Sequence, residues 1–400
     1  MVSFSSKKEE IVIVGGGISG LATALALHRK GLRSVVLEKG DSLRKTGVAF
    51  SMYTNGWLAL DQLGVGTKLR SKAISLQMWR ETWLDDGTIR EIPVGKGEFR
   101  CVTRRDLIEI LAEALPAGTM RFGCHVVGVQ TDTLTCHHIL RLADGSIIRS
   151  KVLIGCDGVN SAVADSLKIK PTKVSQIQTL RCLTNYPDGH CFGDVALRLM
   201  GNGIMLGVVP VDEKLICWFI SWTRPLGDFG NTRDTKILKE AALNKMKDFP
   251  PEAVEVVKNC DPETIIFTRV RYRAPWDLLL PSFREGNMTV AGDAMHVMGP
   301  FMGQGAASAL EDAVVLARCL AHGMCNRNVS SWQLQKSIGK ALDKYVRERR
   351  LRVIRLSMQT FLRQSMQLPL PVPVKLVILL ILVAIFGKPL SHSQYNCGPL

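Results

Sequence analysis

One short segment, residues 11–31, constrains the fold of this chain more than any other. It reads IVIVGGGISGLATALALHRKG, and it places Gly15, Gly17 and Gly20 with GxGxxG spacing between a predicted buried strand and a predicted helix. Such glycines permit a tight turn, close approach of the backbone to a pyrophosphate and close helix–strand packing. The amino end of the helix offers free N–H groups to phosphate oxygens. The segment predicts a βαβ unit that binds an adenine dinucleotide, and it leaves NAD, NADP and FAD open.

Glu38 narrows the choice of dinucleotide. It ends the second predicted strand, in SVVLEKG, where a carboxylate accepts hydrogen bonds from both ribose hydroxyls. A carboxylate at this point disfavours a 2′-phosphate. FAD and NAD therefore remain, and NADP is disfavoured at this turn.

A second motif, at residues 290–313, favours FAD. It reads VAGDAMHVMGPFMGQGAASALEDA, and Gly292 and Asp293 follow a predicted strand at the edge where ligands of α/β sheets collect. The Asp293 carboxylate can bind a polyol. Gly303 and Gly305 bring the backbone close to a ligand at the start of a helix, whose dipole favours negative charge. A reduced flavin is an anion with a ribityl chain, whereas NAD has no such chain.

This motif resembles the GDAxHxxxPxxGQGxxxxxEDA pattern of the single-component FAD-dependent aromatic hydroxylases. The resemblance covers roughly residues 10–350 and is closest to plant proteins related to salicylate hydroxylase and zeaxanthin epoxidase. It implies that Asp293 binds the ribityl chain, that the loop from Pro300 lies against the isoalloxazine ring, and that SLRKTGVAF, VTRRDL and GCDGVNSAV supply further contacts. The predicted cofactor-binding residues are Gly15, Gly17, Gly20, Glu38, Arg44, Arg104, Asp157, Gly158, Asp293, Pro300, Gly303, Gln304, Gly305 and Ala306.

Two positions depart from the family pattern. Ala164 stands where the DG motif usually ends in an arginine, which we expect to weaken NAD(P)H handling. Phe301 replaces the usual acidic residue, so the loop beside the flavin is more apolar. Arg44 and Arg104 also fit solvated surface positions. No catalytic residue is assigned, and His296 is interpreted as structural because the sequence supplies no orienting partner for it.

The pattern of predicted elements indicates an α/β fold in two parts. A Rossmann-like FAD-binding domain with a parallel sheet carries an inserted, mostly antiparallel β-sheet substrate domain, followed by a C-terminal helical tail. The predicted bounds are 1–170 for the first part of the FAD-binding domain (with 76–99 joining the second sheet), 171–284 for the substrate domain, 285–340 for the returning part of the FAD-binding domain and 341–400 for the C-terminal helix and apolar tail.

The resemblance implies a monooxygenase. In this hypothesis NAD(P)H, a transient electron donor, reduces FAD, dioxygen is held as a flavin C4a-hydroperoxide, and one oxygen atom hydroxylates or epoxidises a small organic substrate, most simply an aromatic or phenolic one. Met205, Trp218, Phe219 and Trp222 can line the pocket or form plain core. Three alternatives stay open: a flavin reductase or oxidase, a catalytically impaired flavin-binding regulator, and a membrane-associated isoprenoid epoxidase.

Composition limits the partners. The net charge is +15, but the basic residues are widely spread without a nucleic-acid motif, so we expect no nucleic-acid partner. The 11 cysteines form no CxxC pair and no metal-like cluster, which indicates reduced thiols, a cytoplasmic location and no metal site. The apolar run 376–386 is shorter than the ~20 residues that span a bilayer. It predicts a helix packed on the protein or, with the basic stretch YVRERRLRVIRL before it, contact with a membrane surface. The oligomeric state stays open.

Overall fold

The computed structural model describes residues 7–44, 47–223, 234–325, 330–387 and 390–400, and within them the chain forms two large sheets flanked by helices. The strands are β1 (Lys7–Val14), β2 (Val35–Leu37), β3 (Ala49–Tyr53), β4 (Met78–Trp83), β5 (Ile89–Pro93), β6 (Phe99–Thr103), β7 (Met120–Arg121), β8 (Val126–Thr131), β9 (His138–Leu142), β10 (Ile147–Gly155), β11 (Lys173–Asn185), β12 (Val195–Gly201), β13 (Ile204–Pro210), β14 (Leu215–Thr223), β15 (Ile266–Tyr272), β16 (Arg284–Glu285) and β17 (Met288–Val290).

The helices of the described residues cover both sheets. They are α1 (Ile18–Arg29), α2 (Thr54–Gln62), α3 (Gly66–Arg70), α4 (Arg104–Glu113), α5 (Ala162–Ser166), α6 (Thr235–Lys245), α7 (Pro251–Lys258), α8 (Asp293–His296), α9 (Gly305–Met324), α10 (Ser331–Ser365) and α11 (Val372–Phe386). Helix α9 packs against α1, α2 and α10, so it lies at the centre of the helical layer.

The first sheet has a parallel centre. Its strands run in the order β16–β17–β10–β1–β2–β7, and β9 and β8 extend it from β10. The central strands are buried apolar runs, as expected for a parallel sheet covered on both faces. Parallel pairing of Val14 with Gly155 and Leu37, and of Gly155 with Val290, brings four strand ends to one edge. The residues that follow these ends form the candidate site.

The second sheet is antiparallel except for one parallel pair, β12 with β4, in the order β15–β11–β14–β13–β12–β4–β5. On one face, Trp218 and Trp222 pack into a core with α6 and α7, so both are core residues rather than pocket walls. The other face packs against β3 and β6, which form a separate two-stranded sheet. The predicted α/β class, with a parallel sheet, an antiparallel sheet and a C-terminal helical tail, is confirmed.

A buried ionic network joins α9 and α10. Arg349 donates from Nε to Asp312 (2.7 Å) and from Nη2 to Glu311 (2.7 Å), and all three side chains are fully buried. Arg352 adds a second cation on Glu311, at 3.0 Å. Although burial opposes ionisation, His296 and Arg349 lower the pKa of Asp312 to about 2. These arginines of the basic stretch YVRERRLRVIRL therefore face the interior.

The first prediction concerns this network. Arg349→Leu should lower the free energy of unfolding by about 3–5 kcal/mol, because it leaves two buried carboxylates short of a cation. Urea unfolding followed by circular dichroism measures the change. Arg347→Leu is the matched control, since Arg347 is exposed on the same helix.

Acid titration gives a second readout of the same variant. The pKa of Asp312 in the folded protein lies below its ordinary value of 3.8, so the associated stability is complete above about pH 4 and is lost as pH falls towards 2. Arg349→Leu should flatten this acid dependence. An unchanged unfolding curve at both neutral and acid pH would show that the network contributes little.

Candidate flavin site

The glycine turn between β1 and α1 depends on the absence of side chains. Gly15 has φ +101°, and a Cβ there would lie 2.5 Å from the Cys156 carbonyl oxygen. A Cβ on Gly20 would collide with the Gly15 carbonyl oxygen. Gly17 precedes the first helical residue, and no side chain caps the helix there. The N–H groups of the first turn of α1 therefore suit an anionic group such as a pyrophosphate.

Glu38 is fixed beside this turn. The Gly16 N–H donates to Oε2 (2.7 Å), and the Gly40 N–H donates to Oε1 (2.9 Å). Each carboxylate oxygen keeps a further lone pair, so the group can also accept from two hydroxyls. This geometry suits a ribose and gives a phosphate no favourable place.

Arg104 begins α4 and reaches over the turn. Its Nη2 lies 4.0 Å from the position a Cβ would take on Gly17, and its Cδ lies where a Gly47 side chain would stand. Burial and the charge of Arg44 lower the pKa of Arg104, whereas Asp293 raises it. The buried Nε donates to no acceptor among the described residues. A buried cationic donor without an acceptor fits a phosphate-bearing or flavin ligand.

Asp157 and Gly158 follow β10 at the same edge. The Asp157 carboxylate accepts hydrogen bonds from the Ser161 hydroxyl and from the Val163 N–H (3.4 Å), so it holds the start of α5. Burial raises its pKa. Gly158, with φ +78°, turns the chain after it. Ala164 is buried within α5 and brings no polar side chain to the edge.

Asp293 is the first residue of α8, which follows β17 after a short loop through Ala291 and Gly292. A Cβ on the preceding Gly292 would approach the Ser19 side chain of α1 to 2.8 Å, so a glycine is required for this loop to meet α1. The Asp293 side chain is accessible, yet the surrounding protein desolvates it and raises its pKa, whereas His296 and Arg104 lower it. Arg104 and Asp293 thus act on one another across the site.

The loop from Pro300 to Gln304 leads into α9, whose first residues are Gly305 and Ala306. Gly303 adopts φ +62°, and a Cβ there would lie 3.3 Å from Ser51 and 3.4 Å from the Tyr53 ring. Gln304 is buried and accepts from Asn55 Nδ2 at 2.8 Å. Outside the neighbouring residues and backbone of α9 itself, no heavy atom of the described residues lies within 4 Å of a Cβ built on Gly305, the first residue of α9. The N–H groups at this helix start suit the negative edge of a reduced flavin.

His296 has the orienting partner that the sequence did not reveal. Its Nε2 donates to Asp312 Oδ2 at 2.6 Å, and both side chains are fully buried. The same carboxylate oxygen accepts from the Gly292 N–H at 2.9 Å. His296 therefore supports the Asp293 loop from inside, in agreement with its interpretation as a structural histidine.

The structure brings most of the predicted residues together at one sheet edge. Comparison with known proteins identifies the protein family and the cofactor. A family model described as "FAD binding domain" matches residues 8–360. The chain belongs to the FAD-dependent aromatic hydroxylase family. This confirms FAD as the cofactor and the enzyme class as FAD-dependent monooxygenase.

Two related proteins and one solved structure show how similar this member of the aromatic hydroxylase family is to known proteins. "Monooxygenase 1" of Arabidopsis thaliana is 43% identical over 398 residues, which cover 98% of this chain and 99% of that protein. "3-hydroxybenzoate 6-hydroxylase 1" of Aquipseudomonas alcaligenes is 28% identical and covers 77% of this chain and 79% of its own. The crystal structure of Klebsiella pneumoniae HpxO complexed with FAD and uric acid has a TM-score of 0.78 at 21% identity, covering 97% and 98%. The relation to salicylate hydroxylase and zeaxanthin epoxidase stays a prediction.

Residues that support the site but bear no recognisable local signal were missed. Asn55 donates to both Gln304 and Glu311, and it joins α2 to the Pro300–Gln304 loop and to α9. Arg349 lies in a stretch whose charge suggested a surface. Glu311 and Asp312 belong to the motif, yet their role in holding α10 follows only from the packing of α10 on α9.

The second prediction tests Asp293. Asp293→Ala should weaken FAD binding by about 10- to 100-fold, because a hydrogen bond to a charged group is lost. Fluorescence titration of the apoprotein with FAD measures the affinity, and Asp188→Ala, which removes an exposed carboxylate from the turn after β11, is the control. Equal affinity in both variants would remove the ribityl role from Asp293.

Proposed function

We propose that this protein uses NAD(P)H as a transient electron donor and dioxygen to insert one oxygen atom into a small planar organic acid or phenol. The observation that supports this most directly is the convergence of Glu38, Arg104, Asp293 and the α9 start at one sheet edge. Together with membership of the FAD-dependent aromatic hydroxylase family, this arrangement supports FAD binding at this edge.

Each group at the edge has a matching part of FAD. Glu38 would bind the adenosine ribose, and the start of α1 with Arg104 would bind the pyrophosphate. Asp293 would bind the ribityl hydroxyls, and the Pro300–Ala306 segment would contact the isoalloxazine ring. Bound FAD supplies the electron transfer from NAD(P)H to dioxygen. Asp157 and Gly158 would act by shaping the turn, because the Asp157 carboxylate is engaged with α5.

Arg44 completes the positive side of the proposed site. It is exposed, and its positive charge adds to the effect of burial in lowering the pKa of Arg104. Two neighbouring cations repel, and an anionic group between them would relieve that repulsion. We therefore keep Arg44 as a cofactor-binding residue on the solvent side.

A row of residues across the second sheet supports the substrate class. Register places Arg181 of β11 beside Phe219 of β14, Phe219 beside Gly207 of β13, and Gly207 beside Arg198 of β12. The Phe219 ring occupies the space above Gly207, where a Cβ would collide with it. A flat aromatic surface thus lies between two cations. Such a surface favours a planar, anionic substrate.

Of the two cations, Arg181 is the better candidate to meet a substrate. Arg198 already forms a salt bridge with Glu81 and lies over the Trp79 ring. Arg181 donates from Nη2 only to the Thr268 hydroxyl (3.1 Å), and its buried Nε meets no acceptor among the residues described. Burial lowers the pKa of Arg181, and its charge also reaches Arg104 on the flavin side. Relatives named for 3-hydroxybenzoate and crystallised with uric acid agree with a planar acid.

The third prediction tests the whole reaction. The purified protein should be yellow, NADH or NADPH should bleach it under argon, and a panel of hydroxybenzoates and heteroaromatic acids should accelerate the bleaching. In air, oxygenated product should match the NAD(P)H consumed, as measured by chromatography and absorbance.

Other results would point to the alternatives. Hydrogen peroxide released in place of product indicates a reductase or oxidase, and a flavin that neither nicotinamide reduces indicates a binding regulator. Turnover of isoprenoids with no turnover of planar acids would indicate an epoxidase and would contradict the proposed substrate class.

The fourth prediction concerns Arg181. Arg181→Gln should raise KM for an aromatic carboxylate by about 10- to 100-fold, because a charge-assisted hydrogen bond is lost, and should leave KM for a neutral phenol nearly unchanged. Steady-state kinetics with the two substrates measure the difference. Arg80→Gln, which removes an exposed cation of the same sheet, is the control. Equal effects on both substrates would exclude a carboxylate contact.

A further inference from the structure

Helix α11 exposes an apolar stripe. Val372, Leu376, Leu379, Leu380 and Val383 recur at three- and four-residue spacing and form this stripe, and all five are exposed, with Leu380 at 68%. Val374, Val377 and Ile385 beside the stripe are exposed as well. Only Ile378 and Phe386 of this helix are buried. A continuous apolar stripe of this kind marks a surface that binds another apolar phase or partner.

Both ends of α11 are held by the same body of protein. Helix α10 precedes it, and after it the chain returns to helices α9 and α2. Arg318 Nη1 donates to the Cys397 and Pro399 carbonyl oxygens at 2.9 and 2.6 Å, and the Leu400 N–H donates to Gln62 at 3.0 Å. The segment Val372–Gln394 is long and apolar enough to cross a membrane by length and composition alone. The helix itself has 15 residues, about 22 Å, against a hydrocarbon core of about 30 Å. The docked C-terminus and this short length favour a helix that lies on a surface.

The charged side chains in the sequence before, within and after α11 are all basic. Residues 349–400 contain no aspartate or glutamate, and their basic residues are Arg349, Arg350, Arg352, Arg355, Arg363, Lys375 and Lys388. Of these, Arg349 and Arg352 are neutralised inside the protein. Arg355 is exposed and lies 5.8 Å from the centre of the Phe386 ring, at the end of α11. An anionic partner surface therefore complements this side, whereas a second copy would face like charges.

A second apolar group lies on residues 276–280, a segment before β16 that packs against helix α10. Trp276, Leu279 and Leu280, which we call the apolar corner, are exposed, Leu280 at 91%. Arg350 of α10 holds this corner by donating to the Leu279 and Pro281 carbonyl oxygens at 2.6 and 2.8 Å. Arg350 and Arg355 are separated by about 7.5 Å along α10. The corner and α11 are thus fixed to neighbouring points of one rigid helix.

We propose that the α11 stripe and the apolar corner together bind the surface of an anionic lipid bilayer, with α11 lying in the plane of the interface. The aliphatic side chains enter the boundary between headgroups and acyl chains, and Lys375 and Arg355 remain at the level of the headgroups. This proposal does not depend on the proposed reaction, because it concerns binding of the whole protein to lipid.

Vesicle flotation of the full-length, FAD-bound protein tests the proposal as the fifth prediction. The protein should float with phosphatidylcholine vesicles that contain about one fifth phosphatidylglycerol, at least tenfold more than with phosphatidylcholine alone, and about 0.5 M salt should reduce the bound fraction. The triple variant Leu376→Gln, Leu380→Gln, Val383→Gln should bind at least tenfold more weakly. Leu279→Gln with Leu280→Gln should cause a smaller loss.

A matched control separates the stripe from general surface hydrophobicity. Val127→Gln with Leu134→Gln removes two apolar side chains that are 55% and 93% exposed on the β8–β9 hairpin, and it should float like the unaltered protein. Flavin absorbance and thermal melting confirm that each variant is folded, and unchanged turnover in the triple variant separates lipid binding from catalysis.

Three outcomes would overturn the proposal. The folded protein fails to float with anionic vesicles, or the triple variant floats as well as the unaltered protein. Alternatively, light scattering without lipid shows a dimer that the triple variant dissociates, in which case a second copy covers the stripe.

Discussion

The Asp312 carboxylate is the buried group on which the candidate site depends. It accepts hydrogen bonds from the Gly292 N–H, from His296 and from Arg349. Because Asp312 belongs to α9, these bonds join α9 to the end of β17, to α8 and to α10. A buried carboxylate is costly unless it is fully paired, so these partners are mutually required. Gly292 immediately precedes Asp293, and Asp312 lies on the helix that Gly305 begins. The network therefore fixes the Asp293 and Gly305 segments, which we propose face the flavin, relative to each other.

The charged and polar groups at the sheet edge complement the different parts of a dinucleotide. Two helix starts and Arg104 provide positive potential where phosphates or a flavin anion would lie. Glu38 and Asp293 provide acceptors where hydroxyls would lie. The Gly16 and Gly40 N–H groups hold the Glu38 carboxylate in place, so it does not swing towards Arg104. Fixed acceptors and fixed donors thus stay apart, although all of them share one edge.

The fold class could be predicted from short sequence segments, because the contacts that define it are made between nearby residues and adjoining strands. The GxGxxG turn works through contacts between Gly15, Gly20 and the adjoining strands, which any parallel sheet would provide. The flavin motif likewise combines a strand end and a helix start within residues 290–313. These segments led to the α/β class, the family and FAD, all of which are confirmed. The contacts of the individual site residues with the cofactor, and the domain bounds, stay predictions.

What the sequence did not reveal comes from long-range packing. The pairing of Asp312 with Arg349 joins residues 37 positions apart on two helices. The row from Arg181 to Arg198 exists only because the register of β11–β14–β13–β12 aligns it, and a shift of one residue would turn each side chain to the opposite face. Asp157 shows the converse, a short-range contact: the Ser161 hydroxyl, four residues later, donates to its carboxylate, while its predicted contact with the cofactor stays a prediction.

The basic stretch of α10 shows why charge counts alone mislead. Tyr345, Arg349 and Arg352 follow four- and three-residue spacing and face the interior, where Glu311 and Asp312 neutralise the arginines. Arg350 and Arg355 leave that face and hold the apolar corner and the end of α11 by their backbone carbonyls. A count of charges does not distinguish these four arginines. The helical period places Arg349 and Arg352 on the face of α10 that packs against α9, and Arg350 and Arg355 on the outer side. One rigid helix therefore links the flavin loops to the exposed apolar side of the protein.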